Sequence, residues 1–115
     1  MWRSYHLIKK CKITVLKREF YPELAREYIP FPDFGPCDLM NEGDVFLTSG
    51  PFGNEMPSGF CAMAWQAIVT IATALAWGGQ AFGFESTNIA CCNDGLRPVI
   101  FSLEAVPDET EQDPA

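Results

Sequence analysis

The feature that most constrains this chain is a long run without a charged side chain, which extends from Glu55 to Glu85. Within it, the segment FCAMAWQAIVTIATALAW at residues 60–77 is long enough to raise the question of a membrane span. Six alanines and three polar side chains lower its hydrophobicity, and no Lys or Arg flanks either end to anchor it in a bilayer. The run therefore predicts a buried helix and no membrane span.

Local signals set the ends of this helix. Ser58, after Pro57, can cap the amino end, and Gly78 with Gly79 supplies a left-handed stop. The helix is apolar on nearly every side, so it has to be the central helix of the core or lie in a subunit interface. Because a lone domain of 115 residues has difficulty covering every face of such a helix, we expect a homo-oligomer.

The remaining segments predict the fold class. Four have the composition or alternation of strands: residues 11–20, 44–50, 88–92 and 98–106. The segment YPELAREYI at residues 21–29 predicts a short helix with a proline near its beginning. The order β α β α β β predicts an α+β protein, in which a small mixed or antiparallel sheet carries the long apolar helix and the short helix on one face.

Length and charge predict the domain organisation. A chain of 115 residues supports one core, which we place at residues 11–106 after an N-terminal extension at 1–10. Residues 107–115 are acidic and nearly free of apolar side chains, which predicts a disordered tail. The glycine-bearing segment 78–88 predicts a flexible connection. Six of the eight basic residues fall within residues 3–18, as a solvated strand face, and the acidic remainder argues against a nucleic-acid partner.

The cysteines raise the question of a metal site. Their odd number, five, and their irregular spacing predict free thiols in a cytoplasmic protein. Neighbouring strand residues point to opposite faces, so one of Cys91 and Cys92 can join Cys37 and Cys61. Three such thiols could hold zinc, copper(I) or an iron–sulfur cluster. There is no CxxC pair and His6 is the only imidazole, so small buried hydrophobic thiols are the alternative.

Two further residues suggest anion binding or catalysis. Arg97 follows a turn at residues 93–95, where its planar fork could clamp the carboxylate or phosphate of a small anionic molecule. The alternative is an internal ion pair with a residue such as Asp94. Cys61 falls in the first turn of the predicted helix, whose dipole favours a thiolate nucleophile. With Asp94 as acid or base and Trp65 in the wall of an aromatic pocket, a cofactor-free lyase or isomerase is also possible.

Four separated blocks carry a resemblance to known proteins: KITVLKREF at residues 12–20, GPC at 35–37, GFCAMAW at 59–65 and CNDGLRPVIF at 92–101. In this order they resemble a family of small single-domain proteins without an established activity. The resemblance covers about residues 11–106 and implies that a subset of positions forms the family pattern: Cys37, Cys61, Cys92, Asp94, Gly95, Arg97 and Pro98. It implies that Cys11 and Cys91 are incidental.

These observations lead to one leading hypothesis. We expect a small cytoplasmic protein with a ligand- or metal-binding pocket bordered by Cys37, Cys61, Cys92 and Arg97. The first alternative is the lyase or isomerase acting on a small anionic substrate. The second is a structural or interaction subunit.

Overall fold

The larger of the two sheets in the described part of the chain has four antiparallel strands. The computed structural model describes residues 9–30, 34–81 and 84–107. The sheet order is β2-β1-β6-β5, and its strands are β1 (Lys10–Arg18), β2 (Val45–Leu47), β5 (Thr87–Cys91) and β6 (Val99–Val106). The predicted α+β class is thereby confirmed. The predicted N-terminal extension and acidic tail lie, except for residues 9, 10 and 107, outside the described residues.

The core forms on one face of the two central strands. Alternation along β1 buries Cys11, Ile13 and Val15, as a period of two residues requires. The facing positions of β6, which include Phe101 and Leu103, are buried as well. β1 and β6 pair over nearly their whole lengths, so the two buried rows form one continuous apolar surface.

Helix α2 (Ala62–Ala76) covers this surface and buries one side of itself, including Ile68, Ala72 and Leu75. Gly78, with φ +87°, ends the helix, and its amide donates to the carbonyl of Leu75. The amino end differs from the prediction. The N-cap residue is Cys61 and not Ser58, its backbone is extended, and its side chain makes no capping hydrogen bond.

Helix α1 (Pro22–Tyr28) lies at one end of the sheet. Its first helical residue is the predicted proline, and Ala25 is its buried residue. The backbone just before α1 is tied to the β5–β6 connection, because the amide of Glu19 donates to Pro98 at 2.8 Å and that of Tyr21 to Leu96 at 3.1 Å.

The segment predicted as a flexible connection contains regular structure. Strands β3 (Gln80–Ala81) and β4 (Phe84–Glu85) pair with each other, and β5 begins at Thr87. The sequence did not predict β3 and β4 because strands of two residues are too short to produce an alternating pattern. Within the described residues, we find no helix whose length and hydrophobicity would suffice to cross a membrane.

Candidate functional site

One cavity of about 340 Å³ brings together three cysteines and an arginine. Three segments of the chain line it. The loop between α1 and β2 contributes two residues, the amino end of α2 three and the β5–β6 connection four: Cys37, Leu39, Cys61, Met63, Ala64, Cys92, Asn93, Asp94 and Arg97. We call it the thiol cavity. Its volume falls within the range of about 300 to 1,000 Å³ that is typical of small-molecule sites.

Arg18 fixes the loop that carries Cys37. The Nη1 of this arginine, at the end of β1, donates to the backbone oxygen of Cys37 at 2.7 Å. The amide of Arg18 donates to the Glu42 carboxylate at 3.3 Å, so the same residue contacts both halves of the loop. The sequence places Arg18 in a solvated basic face, but it is half-buried, and its buried Nε has no hydrogen-bond partner among the described residues. No sequence signal distinguishes it from Lys17.

The amino end of α2 lines part of the thiol cavity. Cys61 precedes the first helical residue, and its backbone oxygen accepts from the amide of Trp65 at 2.9 Å. The Cys61 side chain makes no capping hydrogen bond to the first-turn amides, and the positive end of the helix dipole lies here. Asn93 joins this end to the β5–β6 connection by donating its Nδ2 to the carbonyl of Met63 at 3.2 Å.

Asp94 and Arg97 form the internal ion pair that the sequence offered as an alternative. The Nε of Arg97 donates to Oδ2 of Asp94 at 3.0 Å, and the guanidinium carbon lies 4.5 Å from the centre of the Phe34 ring. Among the described residues, Nη1 and Nη2 of Arg97 have no hydrogen-bond partner. The pair therefore fixes the guanidinium and leaves its outer edge available.

The carboxylate of Asp94 also organises the turn. Its Oδ1 accepts from the amides of Leu96, at 3.0 Å, and Arg97, at 3.1 Å. Burial alone would raise the pKa of Asp94, but the hydrogen bonds from the Arg97 side chain and from the two amides outweigh it and lower the pKa below its usual value. Asp94 is therefore a weaker base than an ordinary carboxylate, which does not favour it for proton abstraction.

The adjacent cysteines differ in their surroundings. The Sγ of Cys92 accepts from the amide of Val99 at 3.3 Å and lies 4.0 Å from the carbonyl of Arg97, so this thiol closes the turn and also lines the thiol cavity. Cys91 is exposed and does not line it. The pKa of Cys91 is raised, mainly because the surrounding protein keeps part of the water away from its thiol. The neighbouring Cys92 is the second cause. The Cys92 side chain thus lines the thiol cavity, and the Cys91 side chain lies outside it.

Two predictions about the site need comment. Trp65, predicted to bind the ligand, does not line the thiol cavity; it packs against the core with its ring edge-on to Phe60, at 6.2 Å between centroids. Within the described part of the chain, no three His, Cys, Asp or Glu side chains are grouped closely enough to hold a metal ion. His6, the candidate imidazole, lies outside the described residues.

A second and larger depression of about 620 Å³ lies beside α1 and is lined by α1 residues together with Phe20, Ile29, Pro30 and Phe34. Among the described lining residues, the thiol cavity has two charged side chains, Asp94 and Arg97, beside three thiols, whereas the depression beside α1 has one charged side chain, Arg26. The thiol cavity is therefore the better candidate site.

Comparison with known proteins gives no match to a family model, a curated protein or a solved structure. The function therefore has to be inferred from the thiol cavity itself.

Proposed function

We propose that this protein binds a small organic anion in the thiol cavity, with the anionic group facing Arg97. The observation that carries the proposal is that an arginine and an uncapped helix amino end border the same largely apolar cavity. Both features favour negative charge, and an arginine fork suits a planar carboxylate in particular. A reducing, cytoplasmic location is part of the proposal, since all five cysteines are free.

The surroundings of Arg97 support a preorganised anion contact. Asp94 holds the guanidinium through Nε, and the Phe34 ring lies against its face. The arginine therefore loses little side-chain freedom when a ligand binds to Nη1 and Nη2. The Asp94 carboxylate partly offsets the positive charge, so we expect modest affinity, with a dissociation constant on the order of 10 μM to 1 mM for a simple acid.

The three thiols form the wall for the rest of the ligand. Cys37, Cys61 and Cys92 are half-buried, and a cysteine side chain presents a small, polarisable and weakly polar surface. Such a wall suits the apolar part of an organic acid better than a strongly hydrated inorganic ion.

The other hypotheses have less support. A metal site would need the thiols to move together, because the described residues form no metal-ligand cluster. A lyase or isomerase would need a base, and Asp94 is tied to three donors. The homo-oligomer and the interaction subunit stay predictions that analytical ultracentrifugation can test.

The proposal is tested by titrating the ¹⁵N-labelled protein with hexanoate and following the amide signals. We expect saturable shifts for Cys61–Ala64 and for residues 93–97. Arg97→Gln should weaken binding at least tenfold, and 1-hexanol, which has the same body without the charge, should bind much more weakly than hexanoate. Arg97→Lys should bind more weakly than wild type while keeping the charge, because it lacks the fork.

Arg26→Gln is the matched control, since Arg26 is exposed on α1 and lines the other depression. It should bind hexanoate as the wild type does. Absence of saturable shifts, or equal binding by Arg97→Gln, would contradict the proposal. Loss of binding in Arg26→Gln alone would move the site to the depression beside α1. Stoichiometric binding of zinc or copper(I) that requires Cys37, Cys61 and Cys92, without hexanoate binding, would support the metal site instead.

A further inference from the structure

Two large apolar side chains stand exposed on the rim of the thiol cavity. Leu39 is 70% exposed and Met63 is 57% exposed, and both line the cavity. They come from different elements, the loop after α1 and the first turn of α2. The next residue after Leu39, Met40, is almost fully buried in the core, so the loop directs one apolar side chain inward and leaves its neighbour at the cavity.

The lining of the thiol cavity is divided by chemistry. The β5–β6 connection supplies its polar side chains, Asn93, Asp94 and Arg97. The other two segments supply only apolar side chains and thiols, with Leu39 and Met63 as the largest. A polar ligand would leave that second wall unused, and a purely apolar ligand would leave the guanidinium edge of Arg97 desolvated without a partner. The division therefore fits a ligand that has both kinds of surface.

We propose that the ligand is an amphipathic monocarboxylate, whose carboxylate binds Arg97 and whose aliphatic or aromatic body packs between Leu39 and Met63. This inference rests on the proposed function and names the class of ligand for the same site. The cavity, at about 340 Å³, has room for a body of several carbons. The two exposed side chains gain burial when such a body is present, which gives them a role in binding.

The test is a chain-length series. Straight-chain carboxylates from butanoate to decanoate, each below its micelle concentration, are titrated against the ¹⁵N-labelled protein. Each added methylene that packs against the apolar wall should tighten binding about two- to fourfold, until the chain extends beyond the rim and the gain stops. Leu39→Ser and Met63→Ser should each flatten the series, with a loss of affinity that is smallest for butanoate and grows with each added methylene.

Matched controls separate this from a general loss of hydrophobicity. Leu47→Ser and Met56→Ser replace side chains of the same types that are also exposed but do not line the thiol cavity. They should leave the whole series unchanged. Thermal unfolding of all four variants shows whether each keeps the fold, which their exposure predicts.

The outcomes distinguish the two proposals. If short carboxylates bind in an Arg97-dependent manner but longer chains bind no better, the amphipathic ligand is wrong and the anion site stands. If the controls flatten the series as much as Leu39→Ser and Met63→Ser do, the apolar body lies elsewhere and this inference fails. If no carboxylate binds, the proposed function fails and the inference fails with it.

Discussion

The core and the thiol cavity use cysteine in opposite ways. Cys11 is fully buried on β1, and burial, the largest cause, raises the pKa of its thiol to about 12. Cys37, Cys61 and Cys92 are half-buried and border a space that a ligand can enter. The comparison teaches that the cysteine count says little about a site. What matters is whether the sulfur is covered by the packed face of α2 or lies beyond its end.

Helix α2 shows the same contrast along its length. Ile68, Ala72 and Leu75 are buried against the sheet, whereas Met63, in the first turn, is 57% exposed. The middle and the end of the helix thus contribute to stability and its amino end to the cavity. Substitutions in the core should lower the free energy of unfolding, and substitutions around the thiol cavity should mainly change binding and loop order.

The largest effect is expected for Phe101→Ala in the core. Phe101 is fully buried, and its ring centroid lies 5.5 Å from that of Phe60. We expect a loss of about 3–5 kcal/mol in the free energy of unfolding, measured by urea denaturation. Met63→Ala, at the rim of the cavity, should cost about 0.5 kcal/mol or less. Similar losses for the two variants would break the division between core and cavity; if Phe101→Ala does not fold, Phe101→Leu provides a milder comparison.

A second prediction concerns the reactivity of Cys11. With a pKa of about 12, its thiolate fraction at pH 8 is lower by about three orders of magnitude than that of an ordinary thiol. Alkylation of Cys11 by iodoacetamide, followed by peptide mass mapping, should be about 10³-fold slower in the native protein than in urea. A native rate within tenfold of the denatured rate would show that this sulfur is not sealed in the core.

Arg18→Gln should have an intermediate effect, because it removes the donor to the Cys37 carbonyl and releases the cavity loop. We expect a loss of about 1–2 kcal/mol in the free energy of unfolding and faster amide hydrogen exchange at residues 37–42. Lys17→Gln is the control, since Lys17 is exposed and pairs only with Glu19 in the described structure. Unchanged exchange in Arg18→Gln would mean that another contact holds the loop.

Asp94→Asn should have a smaller effect than Arg18→Gln. Asparagine keeps the Oδ1 acceptor for the two amides but removes the charge that pairs with Arg97, and both side chains are about one-third exposed. We expect a loss of about 0.5–1 kcal/mol at pH 7, measured by urea denaturation.

The loss in Asp94→Asn should depend on pH. Because the pKa of Asp94 is lower in the folded than in the unfolded protein, the carboxylate stabilises the fold at every pH above its unfolded value, about 3.9. That contribution disappears as the pH falls through the folded value, so the difference between wild type and variant should shrink in acid. A constant difference from pH 7 to pH 2 would contradict a stabilising ion pair.

Part of this fold can be predicted from local patterns. The alternation of apolar side chains predicts β1 and β6, and the uncharged, alanine-rich composition predicts α2, because both patterns show which side chains must be buried. The N-cap and the β3–β4 pair could not be predicted, because Cys61 is not a capping residue type and two-residue strands have no period. Arg18 could not be recognised either, since its role depends on a loop that returns to β1 more than 15 residues later.

The thiol cavity depends more strongly on tertiary structure. The thiols and the arginine fork suggested the grouping of Cys37, Cys61 and Arg97 with one of the adjacent cysteines, and the resemblance of separated blocks implied Cys92. These four residues line one cavity. Leu39 and Met63 carry no sequence signal, because exposed and buried apolar residues look alike in a loop or in the first turn of a helix. Leu39 is exposed at the cavity and Met40 is buried in the core, and this difference depends on the path of the loop backbone.

The most direct test of the central claim is alkylation of the native protein in the presence and absence of saturating octanoate, with each cysteine quantified by mass spectrometry. A carboxylate in the thiol cavity should slow the labelling of Cys37, Cys61 and Cys92 and leave Cys91, which is exposed outside the cavity, unchanged. The protection should be absent in Arg97→Gln. Labelling rates unaffected by octanoate, or equal protection of Cys91, would contradict an anion site in this cavity.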